Sequence, residues 1–166
     1  MSEERPESID LAFTLNGEPA GARIEPRELL VDVLREQFGL RGTKRSCDLG
    51  ACGACTVLVD GLPASSCSTL AADVEGRSVV TIEGLGTAKS LDPVQQAFVD
   101  HGAMQCGFCT PGMVLAVKAL LSANPSPTED EVRHYLRGNV CRCTGYVKII
   151  EAVLDLASRE ATQRPA

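Results

Sequence analysis

The chain has no tryptophan, and only two histidines, two tyrosines and four phenylalanines occur in its 166 residues. Two imidazoles are too few for a catalytic or metal site built mainly on histidine, and His101 and His134 read as solvated helix residues. There is no G-x-G-x-x-G after a strand and no phosphate-binding P-loop, so nothing points to a flavin or nicotinamide held by this chain itself. Basic charge is scarce. Lysine and arginine number 16 against 22 acidic residues, a net charge of −6 with no basic cluster, which argues against a nucleic-acid or anionic-membrane partner. Long apolar runs are also missing: the longest, Met113 to Ala123, is interrupted by Lys118 and is too short to span a bilayer. Met1 to Asp10 is polar and charged, without the apolar centre of a signal peptide. The expectation is a cytoplasmic protein whose balance of 44% hydrophobic and 23% charged residues can build a core.

Cysteine, by contrast, is plentiful. Reducing compartments disfavour structural disulfides, so eight clustered cysteines point to metal binding or redox chemistry. They divide into two sets of four with none left over. The first is Cys47, Cys52, Cys55 and Cys67, in which C-x4-C-x2-C has the spacing of plant-type [2Fe–2S] sites. Gly50 and Gly53 let that loop curl and offer N–H groups to sulfur, and the Asp60-Gly61 hairpin returns Cys67 to it. The second set is Cys106, Cys109, Cys141 and Cys143: C-x2-C, thirty-one residues, then C-x-C. A helix of about 13 residues travels about 20 Å, and a second helix returning from the turn at 124–127 closes the two pairs into one site. A zinc module with four cysteine ligands is the alternative for either set, although zinc sites more commonly pair two C-x2–4-C knuckles.

The pattern along the chain predicts an α+β protein. Residues 9–15 alternate, with Ile9, Leu11, Phe13 and Leu15 on one face; Asn16-Gly17 marks a tight hairpin and the return strand follows. A helix is expected over 27–38, strands over 56–59 and 62–67 about Asp60-Gly61, and a last strand over 79–82. Gly84-Leu85-Gly86 looks like a flexible connector, about 84–91. Beyond it the periodicity is helical. Asp92-Pro93 and Thr110-Pro111 are helix starts, Thr128 with Glu131 is a capping box, and residues 146–159 complete four helices, with Ile149, Ile150, Val153 and Leu154 inward. Cys109-Thr110-Pro111-Gly112 and Cys143-Thr144-Gly145 form a faint repeat that sets a cysteine before a helix, where the positive end of the macrodipole suits an anionic cluster. The expected domains are 1–83, holding the first set, and 84–166, holding the second.

Three motifs carry a family resemblance. They are Gly42-Thr43-Lys44 with Cys47 and Cys52-Gly53-Ala54-Cys55-Thr56; Gln105-Cys106-Gly107-Phe108-Cys109-Thr110-Pro111-Gly112; and Gly138-Asn139-Val140-Cys141-Arg142-Cys143-Thr144-Gly145-Tyr146. With them the chain resembles, from about residue 9 to 157, the small iron–sulfur subunit of the molybdenum hydroxylases, the xanthine dehydrogenase/aldehyde oxidoreductase/carbon monoxide dehydrogenase family. The resemblance implies a ferredoxin-like β-grasp domain followed by a four-helix [2Fe–2S]-binding domain. It implies partners as well: a large subunit with a molybdopterin cofactor and a medium subunit with FAD, in a dimer of heterotrimers. Electrons would pass from molybdenum to the helical-domain cluster, then to the ferredoxin-like cluster, then to flavin. Gln105 and Cys143 match family positions that touch the pterin. Ser46 departs from the glycine more usual before the first cysteine, and would be strained if the backbone there required φ > 0. Arg41, Lys44 and Arg45 read as solvated, the alternative being that they offset cluster charge or dock the flavin subunit. The expected function is an electron-transfer subunit of a molybdenum oxidoreductase with no substrate-transforming site of its own; the alternative is a free two-cluster ferredoxin-type carrier.

Overall fold

A computed structural model describes residues 8–87 and 89–163; the expectation for the extreme N-terminus therefore falls largely outside the described residues. The chain opens with strands β1 (Ile9–Leu15) and β2 (Glu18–Ile24), joined where Asn16 and Gly17 take φ of 53° and 88°. Paired positive φ values are those of a type I′ hairpin. Leu11, Phe13 and Leu15 are buried while Ile9 stays exposed at the strand's start, so the alternating face closes from its second member onward. β3 (Thr56–Val59) and β4 (Leu62–Ser65) repeat the hairpin about Asp60-Gly61, and β5 (Ser78–Val80) lies between the two pairs. The sheet order is β2-β1-β5-β3-β4, antiparallel except for the β1–β5 junction.

One helical segment crosses this sheet. It starts later than the sequence pattern predicts: residues 25–28 form a turn, Leu29 is extended and bridges to Leu70, and helix α1 begins at Leu30 (Leu30–Asp32). It then widens into a π-turn over Val33–Gln37. Leu30, Val31, Val33 and Leu34 are wholly enclosed, so burial rather than helix length stabilises the segment.

Four longer helices follow: α2 (Pro93–Asp100), α3 (Thr110–Ala123), α4 (Glu129–Tyr135) and α5 (Val147–Gln163). Asp92 and Thr128 each form a complete capping box, with Gln95 and Glu131 returning to the cap N–H. Asp92 also takes the Lys118 ammonium at 2.5 Å, tying the start of α2 to α3. Thr110 differs from the expectation: it is already helical and its side chain caps nothing, and Cys109 holds the N-cap position. On α5, Ile149, Ile150 and Val153 are buried as expected, but Leu154 is only half-buried and Leu156 takes its place inside. His101 is not simply solvated: at the end of α2 its Nε2 lies 2.9 Å from Asp155 on α5. No helix among the described residues is long and apolar enough to cross a membrane.

Buried side chains gather in two main clusters, one beneath the sheet and one among α2–α5. Helix α3 belongs to both sides of the molecule, because Leu115 and Ala119 pack on Leu58 of β3, with Ile82, Leu85 and Tyr135 around them. The Gly84-Leu85-Gly86 segment is accordingly packed rather than loose. A Cβ on Gly84 would lie 2.3 Å from the Asn16 carboxamide, whose Oδ1 accepts the Thr81 N–H at 2.8 Å. Loss of a capping hydroxyl costs about 1 kcal/mol, so Thr128→Ala should lower the melting temperature of the intact protein by about 2–4 °C. Circular dichroism checks this; an unchanged melting curve would remove the capping box from the account.

Candidate metal centres

The first cysteine loop hangs between the α1 segment and β3. Asp48, Gly50 and Gly53 adopt positive φ, which curls the chain between Cys47 and Cys55. Ser46 is not among the positive-φ residues, so the serine there is unstrained. Arg45 is exposed, as expected, and also engaged: it donates to Asp48 at 3.0 Å and pairs with Asp32 of α1, which ties the loop to the helix. Lys44 turns its ammonium to the Arg41 carbonyl. Cys67 sits in a 3-10 turn just after β4. There the Ser66 hydroxyl donates to the Cys55 carbonyl at 2.7 Å, and Val31 packs on both Cys55 and Cys67. Both of these cysteines are buried.

The second set is assembled from both ends of the α3–α4 hairpin. Cys106 and Cys109 occupy the turn that starts α3, and Cys141 and Cys143 the loop after α4. The thiols of Cys106 and Cys143 stand 3.6 Å apart. Cys109 abuts α3, as the repeat suggests. Cys143 does not abut α5: a turn through Gly145 (φ 63°) and Tyr146 (φ 68°) intervenes before Val147. Gln105, Cys106 and Cys143 are each exposed.

Sulfurs face one another in twos. Cys47 faces Cys52, Cys55 faces Cys67, Cys106 faces Cys143 and Cys109 faces Cys141. Among the described residues no three or more Cys, His, Asp or Glu side chains converge as ligands of a single ion. Local contacts split the thiols by acidity. The Leu49 N–H, with Cys52 beside it, lowers Cys47 to about 6, and the Phe108 N–H lowers Cys106. Burial pushes Cys55 up to about 11 and Cys109 up to about 12. Burial is also the largest influence on Cys141 and opposes ionisation, but the Thr144 hydroxyl and N–H, with other donors, outweigh it and leave that thiol below its ordinary value. Cys143 is raised by sharing a proton with Cys106. The raised thiols of Cys55 and Cys109 need a metal to displace their protons.

The two loops meet at a seam of backbone. The Val140 N–H donates to the Cys52 carbonyl at 2.8 Å. The buried Asn139 carboxamide donates to the carbonyls of Gly53 (3.1 Å) and Gly112 (3.3 Å) and to the Thr56 hydroxyl (3.1 Å). No larger residue fits the approach: a Cβ on Gly53 would lie 2.4 Å from the Gly138 carbonyl, and one on Gly112 would lie 2.2 Å from the Gly53 carbonyl. Beside the seam, a cavity of about 240 Å³ is lined by all four cysteines of the second set and by Cys52 of the first. Thiols paired two by two, glycine cradles and N–H donors directed at sulfur are what a binuclear cluster held by four cysteines requires, so the residues present fit such a group. Asn139 and Thr144 belong to the site without being singled out in the sequence, whereas Arg45 is weighed there as a neighbour of the first cluster. Asn139 and Thr144 lie in a quoted motif, but only tertiary contact reveals what they touch.

Family models agree with this reading. "2Fe-2S iron-sulfur cluster binding domain" matches residues 28–110, and "[2Fe-2S] binding domain" matches residues 81–154. Fold and matches together define a [2Fe–2S] protein. The nicotinate dehydrogenase small FeS subunit of Eubacterium barkeri is 46% identical over 87% of this chain and 92% of its own length. The nicotine 6-hydroxylase small subunit of Paenarthrobacter nicotinovorans is 49% identical over 89% and 88%, respectively. A chain in the crystal structure of quinoline 2-oxidoreductase from Pseudomonas putida 86 superposes with a TM-score of 0.89 at 48% identity, covering 95% of this chain and 97% of that one. The chain belongs to the family of small [2Fe–2S] iron–sulfur subunits of the molybdenum hydroxylases.

Glycine substitutions test the seam. Gly53→Ala and Gly112→Ala should yield protein deficient in iron, because each added methyl group meets a fixed carbonyl. Gly138→Ala, with open space around its Cβ, should load as the parent does. Iron per chain after purification decides; full loading of Gly112→Ala would contradict the close approach.

Proposed function

We propose that this chain is the electron-relay subunit of a molybdenum-containing oxidoreductase, carrying electrons between a molybdopterin centre in a large subunit and FAD in a medium subunit. Cys47, Cys52, Cys55 and Cys67 hold one [2Fe–2S] cluster, and Cys106, Cys109, Cys141 and Cys143 hold the other. The facing pairs support two thiolates on each iron. Each cluster, when bound, takes up and gives back one electron without a proton. The chain's own residues do the rest. Thiolates fix the irons, donors to sulfur and burial set the potentials, and the loops exclude water from the inner sulfurs of Cys55, Cys67 and Cys141.

The observation that carries this reading is Cys52. It belongs to the first quartet yet lines the cavity bounded by the second, and its carbonyl is hydrogen-bonded to the residue before Cys141. The two centres therefore adjoin, as a relay requires. Residues 1–83 form the ferredoxin-like β-grasp domain and 84–166 the four-helix domain, a division supported by the two buried clusters. Gln105 and Cys143, exposed together beside Cys106, make the face that meets the pterin. The large subunit selects the substrate; nicotinate, nicotine and quinoline in the names of the relatives direct the search to N-heteroaromatic compounds.

Two clusters of two irons each require four irons and four acid-labile sulfides per chain in the purified native complex, with molybdenum and flavin co-eluting. Elution of the chain alone would instead support a free carrier, and zinc in place of iron would end the proposal. Cys143→Ala should abolish one of two distinguishable EPR signals and slow reduction by substrate; survival of both signals would overturn the ligand assignment.

A further inference from the structure

We propose that the Thr144 hydroxyl is a tuning group for the second cluster: it donates to the Cys141 thiolate, stabilises the reduced state and thereby raises the midpoint potential of that cluster alone. This rests on the ligand assignment above and adds to it a residue that is not a ligand.

Geometry commits the hydroxyl to this task. Thr144 Oγ1 lies 3.1 Å from Cys141 Sγ, and the Thr144 N–H lies 3.5 Å from the same sulfur. A threonine hydroxyl has one proton to give and two lone pairs. The Tyr146 N–H, at 3.2 Å, occupies a lone pair on Oγ1, which leaves the proton for sulfur. Tyr146 is held in the left-handed region, φ 68°, which costs a non-glycine residue energy and persists only where the surroundings enforce it. What enforces it is visible: the tyrosine hydroxyl accepts the Cys141 N–H at 2.8 Å and donates to the Asn139 carbonyl at 3.4 Å. Thr144, Tyr146 and Cys141 thus close a ring of hydrogen bonds around one buried ligand. The exposed pair, Cys106 and Cys143, has no comparable hydroxyl donor among the described residues; its thiols are partnered with each other.

Four thiolates make either oxidation state anionic, and one-electron reduction adds a further negative charge to the iron–sulfur core. A donor aimed at a ligand sulfur stabilises the more negative state the more strongly, and hydrogen bonds to sulfur are among the levers that set such potentials. Reduction here moves one electron into the cluster, from the molybdenum side in turnover or from dithionite in a titration. No bond breaks, and Thr144 keeps its proton. A raised potential at the second cluster favours uptake of the electron at the entry end of the relay.

The test is an EPR-monitored redox titration of the native complex carrying Thr144→Val, which keeps the shape and removes the O–H, beside Thr144→Ser, which keeps the O–H. Thr144→Val should make reduction of one cluster about tenfold less favourable, equivalent to about 59 mV for one electron, and leave the other cluster unmoved. Thr144→Ser should restore the parent value. Unshifted midpoints in fully loaded Thr144→Val, or an equal shift in Thr144→Ser, would overturn the proposal. Should Thr144→Val fail to load, resonance Raman of the parent and of Thr144→Ser in D2O against H2O takes its place. Deuterium at the hydroxyl should shift an iron–Sγ stretch in both, and its absence is equally fatal. Parent protein lacking four irons per chain would instead defeat the ligand assignment, so the two failures are separable.

Discussion

Everything in this molecule converges on the close approach of two peptide backbones at Gly53 and Gly112. Only a residue without a Cβ lets the first cysteine loop reach the start of α3, and the Asn139 carboxamide then binds both carbonyls and the Thr56 hydroxyl from a buried position. Each such bond contributes about 1 kcal/mol net, and the Gly53 carbonyl also takes the Thr56 N–H and hydroxyl. Asn139 therefore registers the sheet half against the helical half at the place where their cysteines meet. The Cys52 carbonyl, bonded to the Val140 N–H, lies on that same line of contact.

From the seam outward, the two halves supply different supports. Beneath the first loop the α1 segment is short and ends in a π-turn, so it persists by burial of Leu30, Val31, Val33 and Leu34 rather than by its own helical stability. Arg45 clamps the loop above it to Asp32 and Asp48, and these acids hold the guanidinium above its ordinary range, chiefly through hydrogen bonds to Asp48 and Asp32. Beneath the second loop, α3 is almost wholly enclosed, one side on β3 and the other among α2, α4 and α5. A rigid central helix carries Cys109 at its N-cap, and the hairpin it forms with α4 returns Cys141 and Cys143 to it. The thiols grade from exposed Cys106 and Cys143 to buried Cys141, Cys55 and Cys67.

Much of this was legible in the sequence because it depends on local rules. Hairpins at Asn16-Gly17 and Asp60-Gly61 and the capping boxes at Asp92 and Thr128 follow from turn chemistry and capping. What escaped the sequence depends on tertiary contact. The 84–86 segment reads as loose because it contains two glycines, yet those glycines are small so that Asn16 and Gln95 can pack against them. Arg45 reads as a lone surface charge, and only the fold sets Asp32 beside it. Cys143 reads as a helix-start cysteine until the turn through Gly145 and Tyr146 sets it apart from α5. Asn139 has no periodicity or pairing to signal that it bridges residues 83 and 27 positions away.

Whether the two centres adjoin is read from low-temperature EPR of the fully reduced native complex. Paired spins held either side of Cys52 and Val140 should broaden and split each other's lines, and partial reduction that leaves one spin should remove the splitting. Two signals per chain that remain indifferent to each other at every stage of reduction would contradict the account.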